Sequence, residues 1–460
     1  MSKQEANMAY ALIEQQVPFP TSALQDHAPL QYKLSQAHAR ATSVHPGCAH
    51  AHMIALASSR LSAVKMKYSN LLGVFPNLLM IITGATGDGK SIPLWLDTMT
   101  MHMYRKKEFK LAMKQYKKDM RSYNDAQALR DADPAGAAGQ APPPEEPTKP
   151  KKVDELYDAG STVGLGQMMK TTSGRAVWLK HEARKLLKKL LEGGPSGSFD
   201  EINQVAEHAY YRNSPANENS KFSIENPHLV AIWLIHLEEL EGTLRPKAGK
   251  DDDDSVAGLA RFFIAHFPAR INKLLPAGCG DENAEKLVES EQYFNTLDFD
   301  EIVTASVNIL LILQRLFVRY SRRADENGQK KRYSELLGLR TLPFDEGAWK
   351  DYVEDFNKCS DKVIKAQSKV KTRVDAGKLS KEKTNLLQFV PTVDLLEKVI
   401  EFLLPTDMDE PQIDALTPEE LVIHLAEAKI DDILNSFSPE TISAHATRNS
   451  VLAGKALRRR

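Results

Sequence analysis

The sequence predicts an α/β protein: a P-loop NTPase core with a mainly parallel sheet, an N-terminal helical layer and a C-terminal α-helical domain. Three observations predict it. The apolar run LLMIIT ends in GATGDGKS, which leads directly into the helix-like IPLWLDTMTMHM. Two further apolar runs, AVWL at 176–179 and LVAIWLIHL at 229–237, have the continuous character of strands buried on both faces. Beyond about residue 276 the pattern becomes helical and charged.

The loop carries the chemistry. Gly84, Gly89, Lys90 and Ser91 fit G-x-x-x-x-G-K-[ST] between a strand and a helix. In such a loop the backbone N–H groups of Gly84, Ala85, Thr86, Gly87, Asp88, Gly89, Lys90, Ser91 and Ile92 converge on a phosphate chain. The following helix offers its positive end to the same anion. Lys90 reaches the terminal phosphates and the Ser91 hydroxyl ligates Mg²⁺, so the expected cofactors are ATP and Mg²⁺. Pro93 falls in the first helical turn, where no N–H bond is lost.

Composition narrows the class. The chain has 460 residues, enough for two or three domains. A net charge of −1 gives no global case for a polyanionic partner, so any such case is local. Cys48, Cys279 and Cys359 form no C-x-x-C pair, which suits a reducing compartment. No signal-peptide core and no bilayer-length apolar run is present, so a cytoplasmic (or nuclear) protein with no membrane partner is expected.

In chain order, 1–68 reads as a helical segment, 69–275 as the ATPase core and 276–460 as the helical domain. Within the first, HPGCAHAH gathers His45, Cys48, His50 and His52; with no second cluster to complete a tetrahedral set, it reads as a helix start. The core is interrupted at 104–152 by a basic helix and a Pro-rich insertion. In that helix Phe109, Met113, Tyr116, Met120 and Tyr123 step by three and four as an apolar seam. Lys106, Lys107, Lys110, Lys114, Lys117, Lys118 and Arg121 cover the rest, either as a face for a phosphate backbone or as a solvated surface.

Then DAGSTVGLGQMM holds a turn and a short helix. Glu182, just after AVWL, is the candidate acid that orients water and holds Mg²⁺ through it, expected on a strand beside the P-loop strand. His236 closes the second apolar run as a candidate γ-phosphate sensor, and Arg261 is a candidate phosphate-sensing cation, in cis or across a subunit interface. KDDDD at 250–254 reads as a solvated loop. Helices follow at 302–320, 349–374 and 395–404, and Thr417-Pro-Glu-Glu420 forms a capping box.

Taken together, PNLLMIITGATGDGKSIP, DAGSTVGLGQMM, AVWLKHEA, ENPHLVAIWLIHLEEL and GLARFFIAHFP, in this order, resemble the YfjI-like family of P-loop proteins. That group, of unknown function, is met in prophages and other mobile elements. The resemblance runs from about residue 19 to 268, and more weakly over 348–366. Its specific parts are G-K-S-x-P at 89–93, Asp158 and Thr162, Glu182, Asn226-Pro227 and Gly258-Leu-Ala-Arg261-Phe. It implies a RecA-like ATPase core and a role in replicating or handling DNA, and it supports Lys90, Ser91, Glu182 and Arg261. The sequence departs from it at His181, where the family has Asp, and at His236-Leu237, where it has Gln-Pro.

The leading expectation is therefore an ATP-driven, helicase-like or translocase-like protein acting on single- or double-stranded DNA as a homo-oligomer. The alternative is a nucleotide-gated binding module with weak or no hydrolysis, motivated by His181. A small-molecule phosphotransferase would share the loop but would have no use for the basic helix.

Overall fold

The apolar runs become the middle of a parallel sheet, because a strand with no polar face must be covered on both sides. The structure is a computed structural model. It describes residues 21–42, 44–62, 64–67, 73–84, 90–132, 146–192, 199–206, 211–213, 222–224, 227–244, 261–267, 299–318, 340–367, 373–437, 442 and 445–458.

Helices α1 (Thr21–His27), α2 (Pro29–Thr42) and α3 (Pro46–Ser58) precede strands β1 (Val64–Lys67), β2 (Gly73–Val74) and β3 (Leu79–Gly84). Helix α4 (Ser91–Ala132) leads to β4 (Leu156–Tyr157), α5 (Thr162–Thr171) and β5 (Arg175–Lys180). Next come α6 (Arg184–Glu192), α7 (Phe199–Ala206), β6 (Tyr211–Asn213), β7 (Phe222–Ile224) and β8 (His228–His236). Helix α8 (Leu237–Leu244), β9 (Phe263–His266), α9 (Phe299–Val318) and β10 (Arg340–Leu342) follow. The chain then forms α10 (Glu346–Gln367), α11 (Arg373–Leu403), α12 (Glu410–Ala415), α13 (Pro418–Glu427), α14 (Ile430–Ser436) and α15 (Arg448–Arg458).

Among the described residues the main sheet has the order β4-β5-β8-β3-β9, with every pair parallel. Side chains alternate between its faces as strand geometry demands. Met80, Ile82, Val177, Leu179, Val230, Ile232 and Leu234 join one core; Leu79, Ile81, Trp178, Ala231, Trp233 and Ile235 join the other. Helices α5, α6, α7 and α8 cover the second face, where Trp178 and Trp233 meet edge-to-face at 5.0 Å.

The first face carries a thicker layer and corrects the domain plan. Residues of α1–α3, the start of α4, α9, α11, α13 and α15 share a single core with the sheet. Strand β10 also pairs with β1, so segments far apart in sequence meet in a small sheet of order β10-β1-β2. The helices expected to stand apart as a C-terminal domain are thus part of the core's wall. Helix α9 is apolar on most sides because α4, α11 and α13 all pack on it. The capping box at Thr417 and Glu420 is present at the start of α13. Among the described residues, no helix is long and apolar enough to cross a membrane.

Two buried polar links tie the layers together. His52 of α3 lies 2.5 Å from the Asp97 carboxylate of α4. Burial opposes charge on this imidazole, but Asp97 outweighs it and raises the pKa to about 10. Glu155 meets Arg60 at 2.5 Å and Arg175 at 2.8 Å, while Arg60 lies over the Tyr104 ring at 4.7 Å. Burial would raise the Glu155 pKa, but the two guanidiniums hold it below the usual carboxylate range. This link closes the core where the chain returns from the insertion. His45 accepts from Gly47 N at 3.0 Å as the N-cap of α3, so HPGCAHAH is a helix start, as its spacing suggests.

The His52 pair makes stability depend on pH. A raised histidine pKa contributes stability in full below about 6.5, and that contribution is lost as pH rises through about 10. In urea titrations followed by circular dichroism, Asp97→Asn is expected to cost about 3 kcal/mol at pH 6. Its deficit should shrink toward pH 10.5; a deficit that does not change with pH would contradict the charged pair.

Candidate functional site at the carboxyl edge of the sheet

Crossovers decide where an open parallel sheet can hold a ligand: at the carboxyl ends of neighbouring strands whose connections leave to opposite faces. Strands β3 and β8 are such neighbours. The helix after β3 buries Leu94, Leu96, Met101 and Tyr104 in the core of the first face, whereas α8, after β8, buries Leu240 in the second. At that point Gly84 stands opposite His236, and on the other side of β3 Thr83 stands opposite His266. Ser91 is the first residue of α4, exposed at the same edge, with Ile92 exposed beside it. Ala85, Thr86, Gly87, Asp88 and Gly89 lie outside the described residues.

Lys90 Nζ lies 3.1 Å from His236 Nδ1. An ammonium has only protons to give, so Nδ1 accepts and the ring proton is on Nε2. On the other flank the Thr83 hydroxyl donates to the Ala265 carbonyl at 3.2 Å and so accepts from His266 Nδ1 at 3.1 Å. The two strands beside β3 therefore both end in imidazoles. His266 escaped the sequence reading because FIAH is too short to read as a strand.

Glu182 reaches the same edge by a different route. Lys180 pairs with Trp233, and Ala183 N donates to Leu234 O at 2.8 Å, so the chain stays beside β8 past the end of β5, one residue out of the strand register. His181 and Glu182 are both exposed there. The expectation of a strand beside β3 is corrected: β8 intervenes, which sets Glu182 about 10 Å sideways from β3 at 4.8 Å per strand. Lys180 Nζ donates to Asp158 O at 2.5 Å, bringing the β4–α5 turn to this edge as well. Glu238 and Glu239 open α8 just beyond His236, and Glu239 pairs with Arg184 at 3.0 Å. These acids went unnoticed because they follow a histidine rather than a strand-end acid pattern.

Arg261 is corrected more sharply. Phe263 pairs with Met80 in a parallel register, which sets Arg261 level with Leu78 at the amino edge. Gly84 is six residues further along, about 20 Å at 3.3 Å per residue. A contact from Arg261 to a phosphate on its own chain's loop is ruled out by that span. Thr162 proves structural: it is buried, its hydroxyl donates to Glu201, and its carbonyl accepts from Tyr211 at 2.6 Å. Pro227 is buried at the start of β8, while Asn226, Gly258 and residues 250–254 lie outside the described residues.

Among the described residues no group of three metal-competent side chains is preassembled, so a cation here would depend on ligand oxygens as well as Ser91. No protein-family model and no curated protein matches the chain.

Nitroxide pairs test the register. Labels at His236→Cys and His266→Cys should lie about 10 Å apart across β3, and labels at His236→Cys and Arg261→Cys more than about 20 Å apart. Equal separations would overturn the placement of Arg261.

Proposed function

We propose that this chain is a RecA-like P-loop ATPase that binds Mg²⁺-ATP on the loop 84–91 and acts on DNA, helicase-like or replication-associated. The observation that carries the reading is the meeting of the G-x-x-x-x-G-K-S loop with His236 at the switch point of an all-parallel sheet. Lys90 exchanges its contact with His236 for the terminal phosphates, leaving His236 poised at the γ-phosphate. Ser91, first in α4, is available to Mg²⁺, whose chemistry is to neutralise charge between the β and γ phosphates. Glu182 orients water from two strands over. The basic stretch of α4 supports a polyanionic partner. An arginine contribution, if Arg261 makes one, comes from a neighbouring subunit of a homo-oligomer.

The second reading, a nucleotide-gated binding module with weak or no hydrolysis, is favoured by one observation. Both strands flanking β3 end in histidines, and the candidate acid sits one strand further away beside His181.

Phosphate release separates the two. On the ATPase reading, Lys90→Ala lowers turnover by about 100-fold or more through weakened nucleotide binding. Glu182→Gln lowers it similarly while nucleotide binding persists. Wild-type protein that binds ATP without releasing phosphate would instead establish the gated module.

Turnover with and without DNA checks the partner. Hydrolysis should rise when single-stranded DNA is added, and the protein should assemble beyond a monomer with ATP. A monomer with unchanged turnover would exclude a motor.

A further inference from the structure

Helix α4 is one uninterrupted element of 42 residues, about 63 Å long at 1.5 Å per residue. It begins at the phosphate loop, yet every buried residue it contributes lies between Pro93 and Arg105. Beyond Leu111 no side chain is fully buried. Lys106, Lys110, Lys114, Lys117, Lys118 and Arg121 are exposed there, while Lys107 turns inward to Asn308 at 3.1 Å.

Charge is sorted around this arm. At about 100° per residue, all the cations from Lys106 to Arg121 fall within an arc of about 120°. Glu108 and Asp119 fall on the opposite side. The half-exposed seam of Met113, Tyr116, Met120 and Tyr123 borders the cationic arc along one side. A solvated helix gains nothing from such sorting, since mixed signs at i and i+4 would support it better. Two copies of the arc would repel one another, whereas a polyanion is attracted along its whole length.

We propose that this face of α4 is a docking surface for single-stranded nucleic acid, with phosphates along the lysine arc and bases stacked on Tyr116 and Tyr123. The arc supplies backbone charge neutralisation, and the tyrosines, about 80–100° round the helix from the arc's edge beyond Met113 and Met120, supply sequence-tolerant stacking, the two components such binding needs. Because α4 has no break between Ser91 and Arg121, the docking face is rigidly joined to the nucleotide loop. The coupling between the two, though not the surface itself, rests on the ATPase reading.

Fluorescence anisotropy with a labelled oligo-dT measures binding across a salt series. Replacing Lys114, Lys117, Lys118 and Arg121 by Gln should weaken binding about 100-fold at low salt and reduce the slope of log K against log salt by about 3. A control of equal charge change adds glutamates on the opposite side: Ala112→Glu, Gln115→Glu, Ser122→Glu and Ala126→Glu. It should weaken binding less than about threefold, and Tyr116→Ala should weaken it about tenfold. Equal losses in both sets, unaffected binding in the arc variant, or self-association through this face in place of oligonucleotide binding would overturn the proposal. Phosphate release without oligonucleotide, recorded on the same variants, keeps the two readings apart. Retained hydrolysis with no oligonucleotide binding removes only this surface, and intact binding without hydrolysis removes only the ATPase reading.

Discussion

The anchoring of the first four turns of α4 is the constraint on which the rest of the structure depends. The helix starts just after the Gly-rich loop, and the residues it buries end at Arg105, so its direction sets where its exposed length runs. His52 fixes it from α3 through Asp97, and the Arg60–Tyr104 contact fixes it again two turns later. A buried ion pair is weak evidence for net stability, but breaking one is costly because it strands a charge. Such links therefore specify one position for the helix rather than merely adding to its burial. Helix α9 then packs on α4, and through it the C-terminal helices join the same core.

With α4 fixed, the sheet's own topology builds the site. The connection after β3 leaves to one face and that after β8 to the other, so the switch point falls where Gly84 stands opposite His236. The polar groups that reach it are strand ends and helix starts, positions where backbone pairing stops and side chains are released from the core. Their chemistry mixes imidazoles, at His181, His236 and His266, with carboxylates, at Glu182, Glu238 and Glu239.

The central strands were legible because continuous apolar runs have one stable environment, a sheet covered on both faces. The strand and helix that flank the Gly-rich segment were legible because an apolar run stops at Gly84 and a helical pattern begins at Ser91. The unity of α4 was not. Its buried residues up to Arg105 occupy one half of the helix, and its seam from Phe109 to Tyr123 is rotated by about 125° from their centre, so the periodicity breaks although the helix does not. The C-terminal helices were read as a separate domain because an apolar face announces burial without naming its partner. Short strands such as β4 and β9 left too little pattern to read. Strand order was beyond reach for the same reason, and with it the offset of Glu182 and the displacement of Arg261 to the far edge.

Backbone hydrogen exchange with and without Mg²⁺-ATP tests the central claim most directly, because a phosphate-binding loop works through its amides. The account predicts slowed exchange concentrated over residues 84–92 and at the end of β8 around His236, absent in Lys90→Ala. Unchanged exchange in that segment at saturating nucleotide, or protection confined to another part of the chain, would contradict it.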